Sequence, residues 1–358
     1  MTKKRYINLY TGLYQPQNLW AAFKKAARGK RYHPTAAAFE FYLEYNLVEL
    51  EQDLKSETYL PGIYHNFQIL SPKRRLISAA PFRDRVVHHA LMNVIEPLFE
   101  RQFIYDSYAN RVGKGTHQAL DRCTHYLRRY RYVMHCDVRQ FFPSIDHQIL
   151  RGILAETIAD LKVLALIDKI LASGAGIQKE EYDGVVFPGD NLFSLGRSRG
   201  LPIGNLTSQH WANVYLNELD QFAKRRLKTR AYIRYVDDLL LFADDKATLH
   251  GWRSEIITFL QSLRLTLHET RAQPRPTVTG IPFLGFIIFQ DHRRIKPRNG
   301  YAFQRRMKNL IAQNKSGKLG DRKLADRLQS WINHARFGDT WGLRRELLSK
   351  INLLLLCP

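Results

Sequence analysis

Residues 231–245 read AYIRYVDDLLLFADD, an acidic pair, Asp237-Asp238, inside a run of aromatic and branched residues. Such a run predicts two short strands meeting at the acids. An unpaired buried charge costs roughly several kcal/mol, so carboxylates placed there need compensation. A divalent cation is the simplest source. Mg²⁺ takes oxygen ligands, keeps several waters, and needs only one or two carboxylates plus substrate phosphates. The segment YVMHCD (132–137) reads as a buried strand that ends on Asp137 in the same style. Two strands of one sheet, each delivering acid at its tip, suit a two-metal phosphoryl-transfer site. By composition alone the pair reads equally well as a polar hairpin turn, the assignment given to Asp244-Asp245.

The rest of the composition points the same way. The chain has 358 residues, 45% of them hydrophobic, enough for a sizeable core and more than one domain. A formal net charge of +22 attracts polyanions, nucleic acid before anionic membrane. From Asp291 onward there are 16 Lys/Arg against 5 Asp/Glu in 68 residues, so half of the excess sits in the C-terminal part. No apolar run is long enough to span a bilayer, so no membrane partner is expected. The start, MTKKRYINLY, lacks an apolar h-region. Cys123, Cys136 and Cys357 have neither metal-ligand nor disulfide spacing. The expectation is a reduced, cytoplasmic protein without structural zinc.

Along the chain, NLWAAFKKAARGKR and AAAFEFYLEYNLVELEQDLKS carry helical spacing, and Pro61-Gly62 breaks it. YHNFQILSPKRRLISAA reads as two strands around a basic turn, and PFRDRVVHHALMNVIEPLFERQF as a long helix. HQALDRCTHYLRRYRY is a basic helix. A single helix is expected from about 147 to 172, then a Gly-rich loop over 173–200 with room for a hairpin. A helix over 207–228 opens on Thr207 and Ser208 as N-caps. GWRSEIITFLQSL is helical, GIPFLGFIIF is a strand, and three helical segments fill the tail. The class is α+β: helices flanking a small antiparallel sheet, with a basic all-helical C-terminus after about residue 290.

In this setting YVDD, within RYVDDLLLF, resembles motif C of reverse transcriptases. DVRQFFPSID (137–146) resembles motif A, and GLPIGNLTSQ (200–209) motif B. SPKRRLIS resembles the fingers motif, SYANRVGKGTHQAL the motif between fingers and motif A, and GIPFLGF the primer grip. The motifs occur in family order over residues 72–289. The resemblance is to prokaryotic reverse transcriptases with palm and fingers of the group II intron type. Group II intron and retron enzymes usually carry a Q-G-x-x-x-S-P form of motif B. The variant Ile203-Gly204-Asn205-Leu206-Thr207-Ser208-Gln209, with VVHHAL and GKGTH, resembles the enzymes of diversity-generating retroelements.

The resemblance implies a right-hand polymerase. It places an N-terminal helical region at 1–70, fingers and the start of the palm at 71–135, palm at 136–290 and a basic helical thumb at 291–358. The implied function is RNA-directed DNA synthesis on a template RNA, with dNTPs as substrates and an RNA/DNA hybrid as product. Errors at template adenines and a small helical accessory protein belong to the retroelement subtype. Asp137, Asp237 and Asp238 become the catalytic, metal-binding acids for two Mg²⁺ (Mn²⁺ as a substitute), with the Val138 carbonyl completing one ion. Lys73 and Arg75 clamp the triphosphate, as point charge and planar fork. Phe142 takes the position of the steric gate against a 2′-hydroxyl, with Phe141 in the core. Ile203 and Gly204 lie against the templating pair, where Ile lacks the hydrogen bond of a Gln, and Gln209 lies nearby. Phe283, Leu284 and Gly285 support the primer end.

Plainer readings stand beside these. Lys73 and Arg75 also fit a solvated turn, Phe142 an ordinary core position, Gln209 a cap or packing contact, and Phe283–Gly285 an apolar strand with a Gly bulge. After motif C, many relatives carry a Lys taken as general acid; the matching position here is Arg271, which holds its proton too strongly to donate it readily. RRIKPRNGYAFQRRMKNL mixes basic residues with Tyr301 and Phe303, suited to a primer–template groove. GKGT at 113–116 lacks the Walker spacing, and packing or RNA contact suits His88 and His89 better than metal. The rival readings are a stand-alone or phage-defence reverse transcriptase and a non-catalytic RNA-binding scaffold.

Overall fold

The computed structural model describes residues 4–70 and 74–350. Four helices open the chain: α1 (Tyr10–Tyr14), α2 (Pro16–Ala27), α3 (Pro34–Phe41) and α4 (Leu43–Lys55). Pro16 and Pro34 stand at the first turns of α2 and α3, where a fixed φ and a missing N–H cost nothing. Strands β1 (His65–Ile69) and β2 (Arg75–Ala79) form an antiparallel hairpin, and α5 (Phe82–Glu100) follows with Pro81 at its N-cap. Then come α6 (Thr116–Arg129), β3 (Tyr132–Asp137), α7 (Phe141–Ser144), α8 (His147–Ala155), α9 (Leu161–Gly174), α10 (Leu192–Leu195) and α11 (Leu206–Arg225). Strands β4 (Ala231–Tyr235) and β5 (Asp238–Ala243) lead to α12 (Lys246–Ser262) and β6 (Pro274–Pro276). The chain continues through β7 (Ile281–Phe283), β8 (Phe286–Ile288), β9 (Arg293–Ile295), α13 (Pro297–Lys315), α14 (Asp321–Ala335) and α15 (Trp341–Lys350).

A four-stranded antiparallel sheet, in the order β4-β5-β3-β6, organises the middle of the chain. Alternation along its strands sends side chains to opposite faces. Met134, Cys136, Tyr232, Leu239 and Leu241 join the core formed with Trp211 and Tyr215 of α11 and Ile256 and Leu260 of α12. Val133, Ile233, Leu240 and Phe242 join a second core with Leu120, Cys123 and Tyr126 of α6 and the three-stranded sheet β7-β8-β9. Each fully buried side chain of this kind contributes roughly 2 kcal/mol. The outer edge of β4 is paired with backbone at Arg234, whose amide donates to Asp106 O at 2.9 Å and whose carbonyl accepts from the Tyr108 amide at 3.0 Å. On the opposite edge lies β6, Pro-Arg-Pro in sequence, with Pro274 and Pro276 facing Met134 and Tyr132.

Several elements depart from expectation. The helix expected over 36–56 breaks at Tyr42 (φ −109°, ψ 39°) into α3 and α4. The one expected over 147–172 splits into α8 and α9. Asp160 starts the second of them: its carboxylate caps α9 through the amides of Lys162 and Val163 and also accepts from Leu9 and Tyr10 at 2.7 and 2.9 Å. Loop 173–200 holds a 3₁₀ turn (Lys179–Glu181) and α10 in place of a hairpin. Asn205, just upstream of the expected caps, is the N-cap position of α11, so Thr207 and Ser208 are buried within the helix. GIPFLGFIIF forms two strands: Leu284 (φ 44°) and Gly285 (φ 92°) make a left-handed two-residue turn that pairs Phe283 with Phe286. The C-terminal part starts with β9, and its helices then pack around Phe303, Met307, Leu324 and Leu328. Phe303 stacks on Trp331 at 3.8 Å within that core, so of the two aromatics noted there only Tyr301 is exposed.

Cys123 and Cys136 are buried and unpaired, and burial pushes both thiols up. Cys357 lies outside the described residues. Among the described residues no helix is long and apolar enough to cross a membrane.

Candidate active site

The register of the central sheet sets Asp137, the last residue of β3, directly across from Asp238, the first of β5. Between β4 and β5 the turn consists of Val236 and Asp237, and the Val138 amide donates to Asp237 O at 3.2 Å. The three acids therefore share one end of one sheet, with Val138 bonded to the turn. Val236 holds φ +56°, a left-handed conformation that a β-branched residue adopts only at a cost. Burial first, and then Asp238, hold the Asp137 carboxyl above its ordinary range. The same two causes push Asp237 up to about 6; Asp137 adds to the rise and Arg75 opposes it.

Basic side chains of the chain itself stand beside these acids. His135 Nε2 lies 2.7 Å from Asp238 Oδ1, and His268 Nε2 and Arg271 Nη1 each lie 3.8 Å from Asp137 Oδ2. The His268 amide also donates to Asp137 O at 2.9 Å. Arg271, whose side chain is largely exposed, thus stands beside Asp137. Among the described residues no group of three or more His, Cys, Asp and Glu side chains forms a ready-made metal cage. The donors present fit an open site: hard carboxylate oxygens, two of them lifted by burial and mutual repulsion, suit a divalent cation completed by water and phosphate oxygens.

Below the turn lies a fully buried ion pair. Arg234 Nε donates to both oxygens of Asp220 at 2.8 and 2.9 Å, and Nη1 reaches Asn213 Oδ1 at 2.9 Å and Val236 O at 3.3 Å. Tyr232 OH donates to Asp220 at 2.8 Å, and Asn213 Nδ2 to Ala109 O at 2.8 Å. The GKGTH segment also meets the end of β4, with Thr116 Oγ1 and Tyr235 OH 3.0 Å apart.

The motif B segment lies against β2. Ser78 donates its amide to Ile203 O at 2.8 Å. Gly204, at φ +119°, approaches so closely that an added Cβ would lie 3.0 Å from Ile77 Cγ2. Asn205 is buried and binds the hairpin through Ser78 O and Ala80 N. Gln209 is exposed on the first turn of α11, with its amide on Asn205 O. Arg75 opens β2 within electrostatic reach of Asp237, whereas Lys73 lies outside the described residues. Phe142 is half-buried and its carbonyl accepts from Leu201, while Phe141 belongs to the core. Phe283 is buried, its ring edge-on to His135 at 6.3 Å, so the Phe283–Gly285 turn connects through His135 to Asp238.

Reading the sequence alone missed Asn205, His135, His268 and Arg234 as parts of the site. A cation inside the apolar run AYIRYV was the one available signal for Arg234. The other three depend on partners far away in the chain.

Comparison with known proteins adds an independent finding. The family described as reverse transcriptase (RNA-dependent DNA polymerase) matches residues 66–288, more than half of the chain. Protein YkfC of Escherichia coli (strain K12) is 26% identical over 282 residues, covering 68% of this chain and 69% of that protein. The group II intron-encoded protein LtrA of Lactococcus lactis subsp. cremoris is 27% identical over 226 residues, 61% of this chain but 35% of its own length. Nuclear intron maturase 1, mitochondrial, of Arabidopsis thaliana is 32% identical over 100 residues, 27% of this chain and 14% of that protein. The chain thus spans about two thirds of the first relative and about a third of the second.

Proposed function

Because the chain belongs to the reverse transcriptase (RNA-dependent DNA polymerase) family, we propose that it copies a template RNA into cDNA at the carboxylates of β3 and the β4–β5 turn. The single observation that carries this reading is the Asp137–Asp238 register with Asp237 in the adjoining turn. The proposed architecture is a right hand: the N-terminal helical region (1–70), fingers and the start of the palm (71–135), palm (136–290) and thumb (291–358). Two Mg²⁺ ions, when bound, supply activation of the primer hydroxyl and neutralisation of the leaving phosphate, a role Mn²⁺ can also fill. Asp137 and Asp237 hold them, the Val138 carbonyl assists, and Asp238, tied to His135, supports the pair. Arg75 and Lys73 bind the triphosphate and orient it. Phe142, exposed on one side, closes the space a 2′-hydroxyl would need. Ile203 and Gly204 border the new base pair, Gln209 stands beside them, and Phe283–Gly285 hold the primer end.

Motif B supports a finer reading, a diversity-generating retroelement enzyme. Ile203 cannot offer the hydrogen bond a Gln would make, which fits loose checking at template adenines. A small helical accessory protein is the expected partner, with the cytoplasm as setting. The names of the intron-encoded relatives favour a second reading, an intron-type reverse transcriptase.

Primer extension on an RNA template with Mg²⁺ and dNTPs, followed by cDNA sequencing, separates these. Errors concentrated opposite adenines support the retroelement reading. Accurate cDNA keeps the polymerase and favours an intron-type, stand-alone or phage-defence enzyme. No cDNA, even with the accessory protein added, leaves a non-catalytic RNA-binding scaffold.

A further inference from the structure

We propose that Arg234 is a positioning residue for nucleotidyl transfer: by holding the Val236 carbonyl it fixes the strained turn that aims Asp237. The inference rests on the reverse transcriptase reading. Arg234 and Asp220 are both fully buried, and their guanidinium and carboxylate meet at 2.7 Å. Desolvating two charges is costly, and a neutral or apolar pair would often serve folding as well. Arg234 does more than neutralise Asp220. Its Nη1 donates to Val236 O at 3.3 Å and to Asn213 Oδ1 at 2.9 Å. Val236 is the β-branched residue at φ +56°, and such a conformation persists only where its surroundings over-determine it. The Val236 carbonyl belongs to the peptide that carries the Asp237 amide, so a donor on that oxygen fixes the peptide plane from which Asp237 departs.

The anchor is itself held by further hydrogen bonds. Asp220 is held by Tyr232 OH, and Asn213 by Ala109 O, so α11, β4 and the segment around Ala109 all converge on one guanidinium. The β4 backbone is pinned on the same residue, Arg234 N to Asp106 O and Arg234 O to Tyr108 N. A planar fork with five donors can satisfy Asp220, Asn213 and Val236 together; a lysine or an amide cannot.

The test compares the wild-type chain, the double variant Asp220→Asn/Arg234→Gln, and Arg234→Lys. The double variant removes both charges yet keeps an acceptor for Tyr232 and hydrogen bonds between the amides, and it is too short to reach Val236. Four quantities are read: kcat and dNTP KM in primer extension, RNA affinity, the thermal midpoint, and binding of Mn²⁺ alone followed by electron paramagnetic resonance. Loss of positioning predicts a fall in kcat of about 10²-fold, with KM and RNA affinity within about threefold of wild type. The thermal midpoint should hold and Mn²⁺ binding should weaken. A folded double variant with wild-type kcat and Mn²⁺ affinity overturns the proposal. So does a parallel loss of kcat, RNA affinity and thermal midpoint, which would make Arg234 structural only. If the double variant fails to fold, Arg234→Lys decides, because it keeps the charge pair but cannot also span to Val236. Wild-type kcat and Mn²⁺ affinity in that variant overturn the proposal, and the predicted fall supports it. If wild type makes no cDNA even with the accessory protein added, the polymerase reading fails, and the hold of Arg234 on the turn is then decided by Mn²⁺ binding, unchanged affinity in the variants overturning it.

Discussion

The side-chain amide of Asn205 donates to the carbonyl of Ser78 at 2.9 Å, across a sequence separation of 127 residues. Its oxygen accepts from the Ala80 amide at 3.2 Å, and the same Nδ2 reaches Pro202 O at 3.2 Å. One buried residue thereby ties the start of α11 to the β1–β2 hairpin, whose Arg75 lies within electrostatic reach of Asp237.

Asn205→Ala leaves these backbone groups without partners in a buried setting, at a cost of about 2 kcal/mol. The urea midpoint should fall accordingly. Because the hairpin also loses its reference to α11, the dNTP KM should rise more than the RNA affinity weakens. An unchanged KM in a destabilised variant would show that the contact serves the fold alone.

Asp237→Asn removes a charge that burial and two neighbouring acids already disfavour. Single-nucleotide extension should drop by at least ~10²-fold, since several kcal/mol of electrostatic stabilisation go with it. Affinity for RNA should not change, because phosphate contacts come from the basic surface. Filter binding alongside the extension assay checks both halves, and retained synthesis would contradict the assigned role.

His210 is packed among the rings of Phe99 and Phe103 at 5.7 and 6.0 Å, and burial lowers it to about 4. Its folded form refuses a proton that the unfolded chain accepts near 6.5, so the unfolded state binds more protons between these values. The contribution is complete above pH 6.5 and is lost as pH falls toward 4; at pH 5 the loss is roughly 2 kcal/mol. Buried His88, lowered to about 3 by the same cause, acts in the same direction. Urea unfolding at pH 7.5 and pH 5 should show a smaller difference for His210→Leu than for wild type. Equal differences would count against the linkage.

Arg305 and Arg306 are adjacent and exposed on α13. If α13 lies along the primer–template backbone, replacing both by Gln should weaken hybrid binding at low salt. It should also reduce the slope of log affinity against log salt by about 1.5. A parallel shift with the slope intact would place these arginines away from phosphate.

How far the sequence could be read depended on the range of each interaction. The tips of β3 and β5 were legible because a short apolar run reads as a buried strand and an acid at its end stands out. Asn205 was not, since its role is defined by the Ser78 carbonyl and the Ala80 amide far upstream. The β7–β8 turn was hidden because Leu284 adopts a left-handed conformation that its residue type disfavours, and only Gly285 hinted at it. Asp160 looked like one polar residue in a helical run, while its second set of partners, Leu9 and Tyr10, lies at the other end of the chain. Phe303 and Tyr301 are equivalent by composition, and packing against Trp331 distinguishes them.

Finally, both margins of the central sheet are closed to newcomers. On one side Asp106 and Tyr108 occupy the hydrogen bonds of Arg234, and on the other Pro274 and Pro276 carry no amide hydrogen to offer. Strand-by-strand growth into fibrils or swapped oligomers is therefore blocked at these positions. Two prolines and a strip of loop backbone thus guard these margins against self-templating.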